Sequence, residues 1–573
     1  MTVAFVVVAL VFGVFAVRLV QLQGLDSSRY ATMAASERLR EVTLPTTRGP
    51  ILDTNGVPLA TTVDVVNLVA DQTQVRNPAA AALQMAGPLG VDPAALQQAL
   101  TGDDPYVRVE RNVDAAVWSE IRRMDIPGIY SEPASERSYP AGSLAGNLLG
   151  FVGGTDAEGD ESVVGLAGLE ETYESVLAGQ EGSLRYERDS AGRVIPLAES
   201  SRVEPVPGQG LRLTIDRDIQ WFVEQALAAK VAEAEAASGS AVVMDPRTGA
   251  ILAMATSPVL DPADVTDTPK ADLGNRAVEE SYEPGSVQKV LTAAALVDAG
   301  LASPTEVFSV PDSIQRADRV ISDFSPHEDW SITLAGILAQ SSNVGTLLAA
   351  ERMDKATMRD YLVKFGYGRP VGLGLPGETP GLLPEAWSDL QRDTISFGQG
   401  VATTIVHLAS AYSTIANGGV RQQPYVVESL LDPDGTEQPV EHPEPTRVVS
   451  EEAAAATTAM MEAVMGPDGS GRTVVVDGYR LAGKSGTAER VDEECGCYNG
   501  YTATFAGFAP ADDPRLVVVV SIQDPQRGRY GTQLGGPVFA DILSFALPRL
   551  GVAPSGAPAP GLPVFVGASA AAQ

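Results

Sequence analysis

The sequence predicts an α+β protein. It has a C-terminal domain built on an antiparallel sheet flanked by helices, an elongated mixed α/β region before it, and a single N-terminal transmembrane helix. Three observations lead there. Val3 to Val17 form an uncharged apolar run. From Leu211 the chain reads as strands, then a long Ala- and Leu-rich helical stretch, then strands again, an order that favours helices packed on an antiparallel sheet. The length, 573 residues, is too great for one core.

Residues 1–22 read as a membrane anchor. As a helix the uncharged run spans about 22 Å, short of the ~30 Å hydrocarbon core. Extending it through Leu19–Leu22, with Arg18 snorkelling to the headgroups, completes a span. A cleaved signal peptide is the competing reading, opposed by the lack of a nearby A-x-A site. Residues 23–207 alternate short apolar runs with turns. Asp53–Gly56 supplies turn chemistry for a hairpin, and Asn147–Gly154 and Gly165–Glu170 are apolar segments punctuated by glycine. Pro196–Gly210 is polar and proline-bearing, a natural linker.

Residues 208–550 form the larger domain. Leu211–Ile215 reads as a strand, and Asp216 as the N-cap of a helix running to about Ala236. Ala241–Met244 and Ala250–Met254 flank Asp245–Gly249 as a β-hairpin. Further strands fit Tyr479–Ala488, Thr502–Gly507 and Leu516–Gln523. Residues 551–573 are rich in Ala, Pro and Gly and read as a disordered tail.

Three motifs occur once each and in order: Ser286-Val287-Gln288-Lys289, Ser341-Ser342-Asn343 and Lys484-Ser485-Gly486-Thr487. Only six of the 40 basic residues are lysine, and two of those six lie in the motifs. Lysine can lose its proton and act as a base, whereas arginine effectively cannot. Glu283-Pro284-Gly285 leads into Ser286, and no helix breaker follows until Gly300, so Ser286 sits at a helix N-terminus with Lys289 one turn on. The unpaired N–H groups there favour the anion formed when the serine attacks a carbonyl. The same field, burial and a second lysine push Lys289 toward its neutral form. An ordinary lysine is neutral at pH 7 only about once in 2500, a penalty near 4.6 kcal/mol. Taken alone, the motif reads as a capping serine with a solvated lysine.

Ser341–Asn343 reads as a loop between two helices, offering a hydroxyl for proton relay (Ser341) and an amide to hold a substrate peptide (Asn343). Alone it is a capping element. Lys484–Thr487 fits a strand with Ser485 and Thr487 on one face, and Gly486 lets a substrate peptide approach the edge. Its hydroxyls and Lys484 suit a terminal carboxylate. The N–H groups of Ser286 and Thr487 suit an oxyanion hole, each donor worth about 2.7–4 kcal/mol. The competing reading is an edge strand guarded by a lysine. The S-x-x-K, S-x-N, K-[ST]-G set specifies serine acyl transfer where no single motif does.

The net charge of −33 opposes binding to nucleic acid or to an acidic membrane surface. Cys495-Gly496-Cys497 is compatible with a local disulfide and falls short of a zinc site; no metal or cofactor is expected. A Ser-His-Asp hydrolase lacks context, since no G-x-S-x-G surrounds Ser286 and the only histidines are His327, His407 and His442.

On these residues the chain resembles a class B penicillin-binding protein, a monofunctional D,D-transpeptidase of peptidoglycan synthesis. The resemblance covers nearly its whole length and includes Arg48–Ala60, Gly168-Leu169-Glu170, Leu213–Asp216, Tyr282–Ser286, Phe397–Gly400 and Ala416–Gly419. It implies a single-pass anchor with the bulk of the chain outside the cytoplasm. It also implies a non-catalytic, dimerisation-like pedestal over 23–207 and a serine β-lactamase-like transpeptidase domain over 208–550. Ser286 is then the acylated nucleophile, Lys289 its general base, and Ser341 and Asn343 the second motif. Lys484, Ser485, Gly486 and Thr487 form the dock for the donor's carboxylate. The implied substrates are a D-Ala-D-Ala stem-peptide donor and an amine on a neighbouring stem peptide, with β-lactams as mimics. A membrane glycosyltransferase and other division proteins are the implied partners. The Cys495–Tyr498 insertion is similar to septal enzymes of actinobacteria. Four alternatives stay open: a β-lactamase, a β-lactam sensor, a D,D-carboxypeptidase and an elongation-type transpeptidase. For the β-lactamase the candidate acid is Glu378, though no E-x-x-x-N follows it.

Overall fold

The structure is a computed structural model that describes residues 2–21, 39–44, 46–155, 161–187, 200–492 and 495–566. Thr2–Val20 forms a helix with mean hydropathy 2.8, long and apolar enough to cross a membrane. By compactness the chain divides into two interleaved units. The smaller comprises Met1–Gly49, Asp64–Glu136 and Ala178–Gln209, and the larger Pro50–Val63, Arg137–Leu177 and Gly210–Gln573.

In the smaller unit, Leu39–Leu44, Gly182–Glu187 and Ser201–Val203 pair as an antiparallel sheet with Gly182–Glu187 in the middle. Ser201–Val203 thus adds a strand inside the stretch expected to be linker; residues 191–199 lie outside the described residues. Helices Pro78–Leu89 and Pro93–Ala99 start on Asn77 and Asp92, whose side chains accept from backbone N–H groups, with proline at the first helical position. Leu68, Met85, Leu96, Leu100, Val113 and Ile121 make this unit's core.

In the larger unit, Asp53 accepts from Asn55 N and Val57 N and closes the expected hairpin, with Gly56 at φ 81°. The division expected at 207 is not a single cut. Leu148, Leu149, Leu169 and Leu177 belong to the same core as the helices that follow residue 210, and Arg137 and Glu170 form a fully buried ion pair at 2.8 Å. Apolar segments that read as a separate region therefore stabilise the larger unit.

Five strands form the central sheet: β1 (Ser238–Met244), β2 (Ile251–Ser257), β3 (Ala482–Asp492), β4 (Cys497–Ala509) and β5 (Leu516–Gln523). All pairings are antiparallel, in the order β2-β1-β5-β4-β3, which leaves β3 at an edge. Successive residues of β1 and β5 face opposite sides. Ala241, Val243, Val518, Val520 and Ile522 pack under α1 (Arg217–Glu233) and the C-terminal helix Gly531–Arg549. Val242, Met244, Val517 and Val519 pack toward α2 (Lys289–Asp298), α3 (Leu334–Gln340), α4 (Asn343–Ala350), α5 (Ile405–Ala416) and α6 (Glu451–Met465). Both faces are covered, so β5 is buried at every residue.

The disorder expected from Gly551 is corrected for residues 551–566. Phe565 bridges to Ile332 and meets Trp330 edge-on at 5.7 Å, while Val566 N donates to Ser331 O at 3.0 Å. Val552 and Val564 are buried. A few apolar anchors outweigh the Pro- and Gly-rich composition; residues 567–573 lie outside the described residues.

Candidate active site

The first motif begins on a tight turn. Gly285–Gln288 form a 3-10 turn that runs straight into α2, and Lys289 N donates to Ser286 O. The helix start was expected, but its first turn is tighter than an α-helix. The turn is closely surrounded: a Cβ on Gly398 would lie 2.1 Å from Gly285 O, and one on Gly486 would lie 2.9 Å from Pro284 O. Gly285 itself sits at φ 56°, a left-handed conformation suited to glycine. The two glycines let the Phe397–Gly400 loop and β3 close on the turn from both sides.

Beneath it, two fully buried tyrosines tie the turn to the helical layer. Tyr412 Oη donates to Val287 O at 2.9 Å, and Tyr367 Oη to Gln288 Oε1 at 2.8 Å. Ser286 is half-buried on this platform, and its hydroxyl makes no hydrogen bond among the described residues.

The second motif is a joint between helices. Ser341 ends α3 at φ 60°, an uncommon conformation for a serine. Ser342 caps α4 by accepting from Gly345 N at 2.8 Å. This geometry turns the Ser341 carbonyl and hydroxyl and the Asn343 amide toward Lys289. The Lys289 Nζ donates to Ser341 O at 2.5 Å and Asn343 Oδ1 at 2.7 Å, with Ser341 Oγ at 3.5 Å.

The third motif lies on edge strand β3. Ser485 and Thr487 are half-buried, whereas Lys484 and Gly486 are buried, as period-two alternation requires. Lys484 Nζ donates to Ser341 Oγ at 2.9 Å and Ser485 O at 3.0 Å. Thr487 Oγ1 accepts from Gly531 N at 3.3 Å.

Four predicted residues, Lys289, Ser341, Asn343 and Lys484, thus form one hydrogen-bonded cluster. Ser286 adjoins it through the turn, and Gly486 through backbone contact. Two details differ from expectation. Asn343, expected to hold a substrate peptide, is engaged by Lys289 and by Ser322 O at 3.1 Å. Lys484, expected at the carboxylate, points to Ser341.

The electrostatics follow from burial. Lys289 is 1% exposed, and its amine is held well below the ordinary lysine range, first by burial and then by the charge of Lys484. Asp323 acts against that shift. Burial pushes Lys484 down to about 7.

Sequence reasoning missed Asp323, Tyr367 and Tyr412. None carries a local signal, because each acts across more than a turn of chain. Asp323 and His327 lie in a polar stretch with no periodicity. The other two histidines have structural partners: His407 bonds Thr404 Oγ1 and Arg369 O, and His442 stacks on Tyr425. Glu378 is spent on its own loop, accepting from the N–H groups of Gly372, Leu373 and Gly374. Cys495 and Cys497 are disulfide-bonded at the β3–β4 turn, and Tyr498 beside them donates to Glu283 Oε1 at 3.3 Å.

A family model described as the penicillin binding protein transpeptidase domain matches residues 239–544, and one for the penicillin-binding protein dimerisation domain matches residues 43–213. The chain is 37% identical to penicillin-binding protein PbpB of Mycolicibacterium smegmatis, over 96% of this chain and 90% of that one. It is 33% identical to peptidoglycan D,D-transpeptidase FtsI of Escherichia coli, over 90% of this chain and 86% of that one. Penicillin binding protein 3 from Mycobacterium tuberculosis, solved in complex with aztreonam, superposes with a TM-score of 0.70 at 32% identity, covering 90% of this chain and 99% of that one.

Proposed function

Because the chain belongs to the class B penicillin-binding proteins, the monofunctional peptidoglycan D,D-transpeptidases, we propose that Ser286 is its acylated nucleophile and Lys289 the base. Ser341 relays protons, and the strand from Lys484 to Thr487 docks the donor. The enzyme crosslinks stem peptides through a serine ester. The Ser286 oxygen bonds to the carbonyl carbon between two terminal D-alanines as its proton passes to Lys289 Nζ. The oxyanion rests on the N–H groups of Ser286 and Thr487. The peptide C–N bond then breaks, the departing amine takes a proton through Ser341, and terminal D-Ala leaves. An amine of a second stem peptide attacks the ester and restores the serine. In a β-lactam the broken C–N bond leaves the amine tethered, so the adduct persists and the enzyme is inhibited.

The observation that carries this reading is the pair of buried lysines meeting at the Ser341 hydroxyl. A neutral amine has two N–H bonds and one lone pair. Lys289 spends its two closest contacts on Ser341 O and Asn343 Oδ1, which leaves the lone pair for the Ser286 proton.

Residues 1–22 serve as a single-pass anchor, residues 23–207 as the pedestal, residues 208–550 as the transpeptidase domain, and the bulk of the chain lies outside the cytoplasm. The apolar Thr2–Val20 helix supports the anchor. The Cys495–Tyr498 insertion supports septal synthesis, alongside a membrane glycosyltransferase and other division proteins. The decisive test is covalent labelling of the full chain with a fluorescent penicillin. Wild type should label stably and Ser286→Ala not at all. Undiminished labelling of that variant rejects the assignment, and rapid release of the adduct identifies a hydrolase.

A further inference from the structure

Asp323 is the charged group nearest the second motif that the mechanism above does not use. Its side chain is 4% exposed, and a buried carboxylate persists only when its oxygens are paired. Oδ2 accepts from Ser342 Oγ at 2.6 Å, and Oδ1 from Asn343 N at 2.5 Å and Val344 N at 3.0 Å. His327 Nε2 lies 3.1 Å from Oδ2, and its ring stacks on Trp330 at 3.5 Å. One carboxylate thus grips three consecutive residues of the joint between α3 and α4. Two of them follow directly on Ser341, and the middle one is the residue whose side chain holds the Lys289 amine.

We infer that Asp323 is a positioning residue for acylation: its carboxylate fixes the Ser342–Val344 turn and, through Asn343, the Lys289 amine, while its charge opposes that of Lys484. The inference rests on the reading of Ser286 and Lys289 as nucleophile and base. The charges that bear on Lys289 are Lys484 from β3 and Asp323 from the loop before α3, with Ser341 and Asn343 as neutral partners. The ionisable neighbour of Asp323 itself is His327, whose Nε2 lies 3.1 Å from Oδ2. Because Asp323 favours the protonated amine, removing its charge makes Lys289 lose its proton at lower pH. An aspartate whose charge does not reach the amine leaves that pH unchanged.

The test is the rate of acylation of the full chain by a fluorescent penicillin, measured from pH 5 to 9 together with thermal melting. Asp323→Asn keeps the shape and one acceptor oxygen but loses the charge. It should acylate about 10- to 100-fold more slowly at pH 7, with the acidic limb of the profile moved to lower pH. Asp323→Glu keeps the charge but displaces the turn, so it should be slowed with its limb at the wild-type position. A folded Asp323→Asn whose limb stays at the wild-type pH overturns the inference. Should Asp323→Asn fail to fold, Asp323→Glu decides: a wild-type rate, or a shifted limb, overturns it. Labelling of Ser286→Ala separates the two levels, since persistence there rejects the nucleophile itself, whereas its loss with an unmoved Asp323→Asn limb rejects only the role of Asp323.

Discussion

Replacing Lys484 with methionine should remove acylation and yet stabilise the resting protein at neutral pH. Lys484 is fully buried, and burial pushes its pKa from 10.5 down to about 7. Between those values the unfolded chain binds a proton that the folded chain has shed, so stability rises with pH across that window. At 1.36 kcal/mol per unit, the amine costs about 4 kcal/mol of stability at pH 7 and about 1 kcal/mol at pH 10. Methionine fills nearly the same volume without that cost. The substitution also forfeits the bonds to Ser341 Oγ and Ser485 O, worth about 2 kcal/mol together. The net is about 2 kcal/mol in favour of Lys484→Met at pH 7, shrinking to zero near pH 9 and reversing above it. Urea unfolding of wild type and variant at pH 7, 8, 9 and 10 measures the difference, with penicillin labelling as the activity readout. A variant less stable than wild type at pH 7, or a gap that does not narrow as pH rises, refutes the reasoning.

Two further predictions use the same logic. Lys289→Met should lose about 10²- to 10⁴-fold in acylation rate, the range for a general base, yet melt no lower than wild type because a desolvated amine is gone; a reduced melting temperature contradicts it. Glu224 on α1 accepts from Ala145 N and Gln220 Nε2, and burial pushes its carboxyl up to about 7 despite those bonds. The folded state therefore holds a proton that the unfolded state releases above about 4.5, so this group's contribution falls as pH rises from about 4.5 to 7, by about 3 kcal/mol. Glu224→Gln keeps the acceptor oxygen and should flatten the stability profile over that window; an unchanged slope in pH-dependent melts counts against it.

The parts legible in the sequence are those that local chemistry specifies. Asp216 announces a helix because a side chain two or three residues away supplies its first bonds. The hairpin around Asp245–Gly249 is equally local, since Arg247 N bonds Asp245 Oδ1 and Gly249 takes φ 87°. Lys289 and Lys484 stand out through rarity and motif spacing. Asp323 does not, because its value lies in bonds to residues about 20 positions on, and an isolated aspartate among Ser, Pro and His looks like any solvated loop. The role of residues 137–177 is hidden for a related reason. Leu148, Leu149, Leu169 and Leu177 read as apolar wherever they pack, and only tertiary structure assigns them to the larger core. In the tail, composition averages over the few residues that matter, Val564 and Phe565 among them.

The site joins two demands that conflict in an isolated lysine: proximity to the nucleophile and loss of charge. Edge strand β3 resolves the first, since Gly486 brings its backbone against the turn that carries Ser286 while Lys484 reaches Ser341 behind it. Burial resolves the second, but two neutralised amines alone give a weak dock for an anion. The value of about 7 for Lys484 matters here. Burial brings Lys484 close to neutral pH, so a carboxylate docked at Ser485 and Thr487, as proposed, favours its protonated form. That added charge in turn opposes any proton on Lys289, whose amine already feels Lys484. On the proposed assignment, a proton on Lys484 favours the neutral Lys289 that accepts the Ser286 proton, while Asp323 favours the charged form.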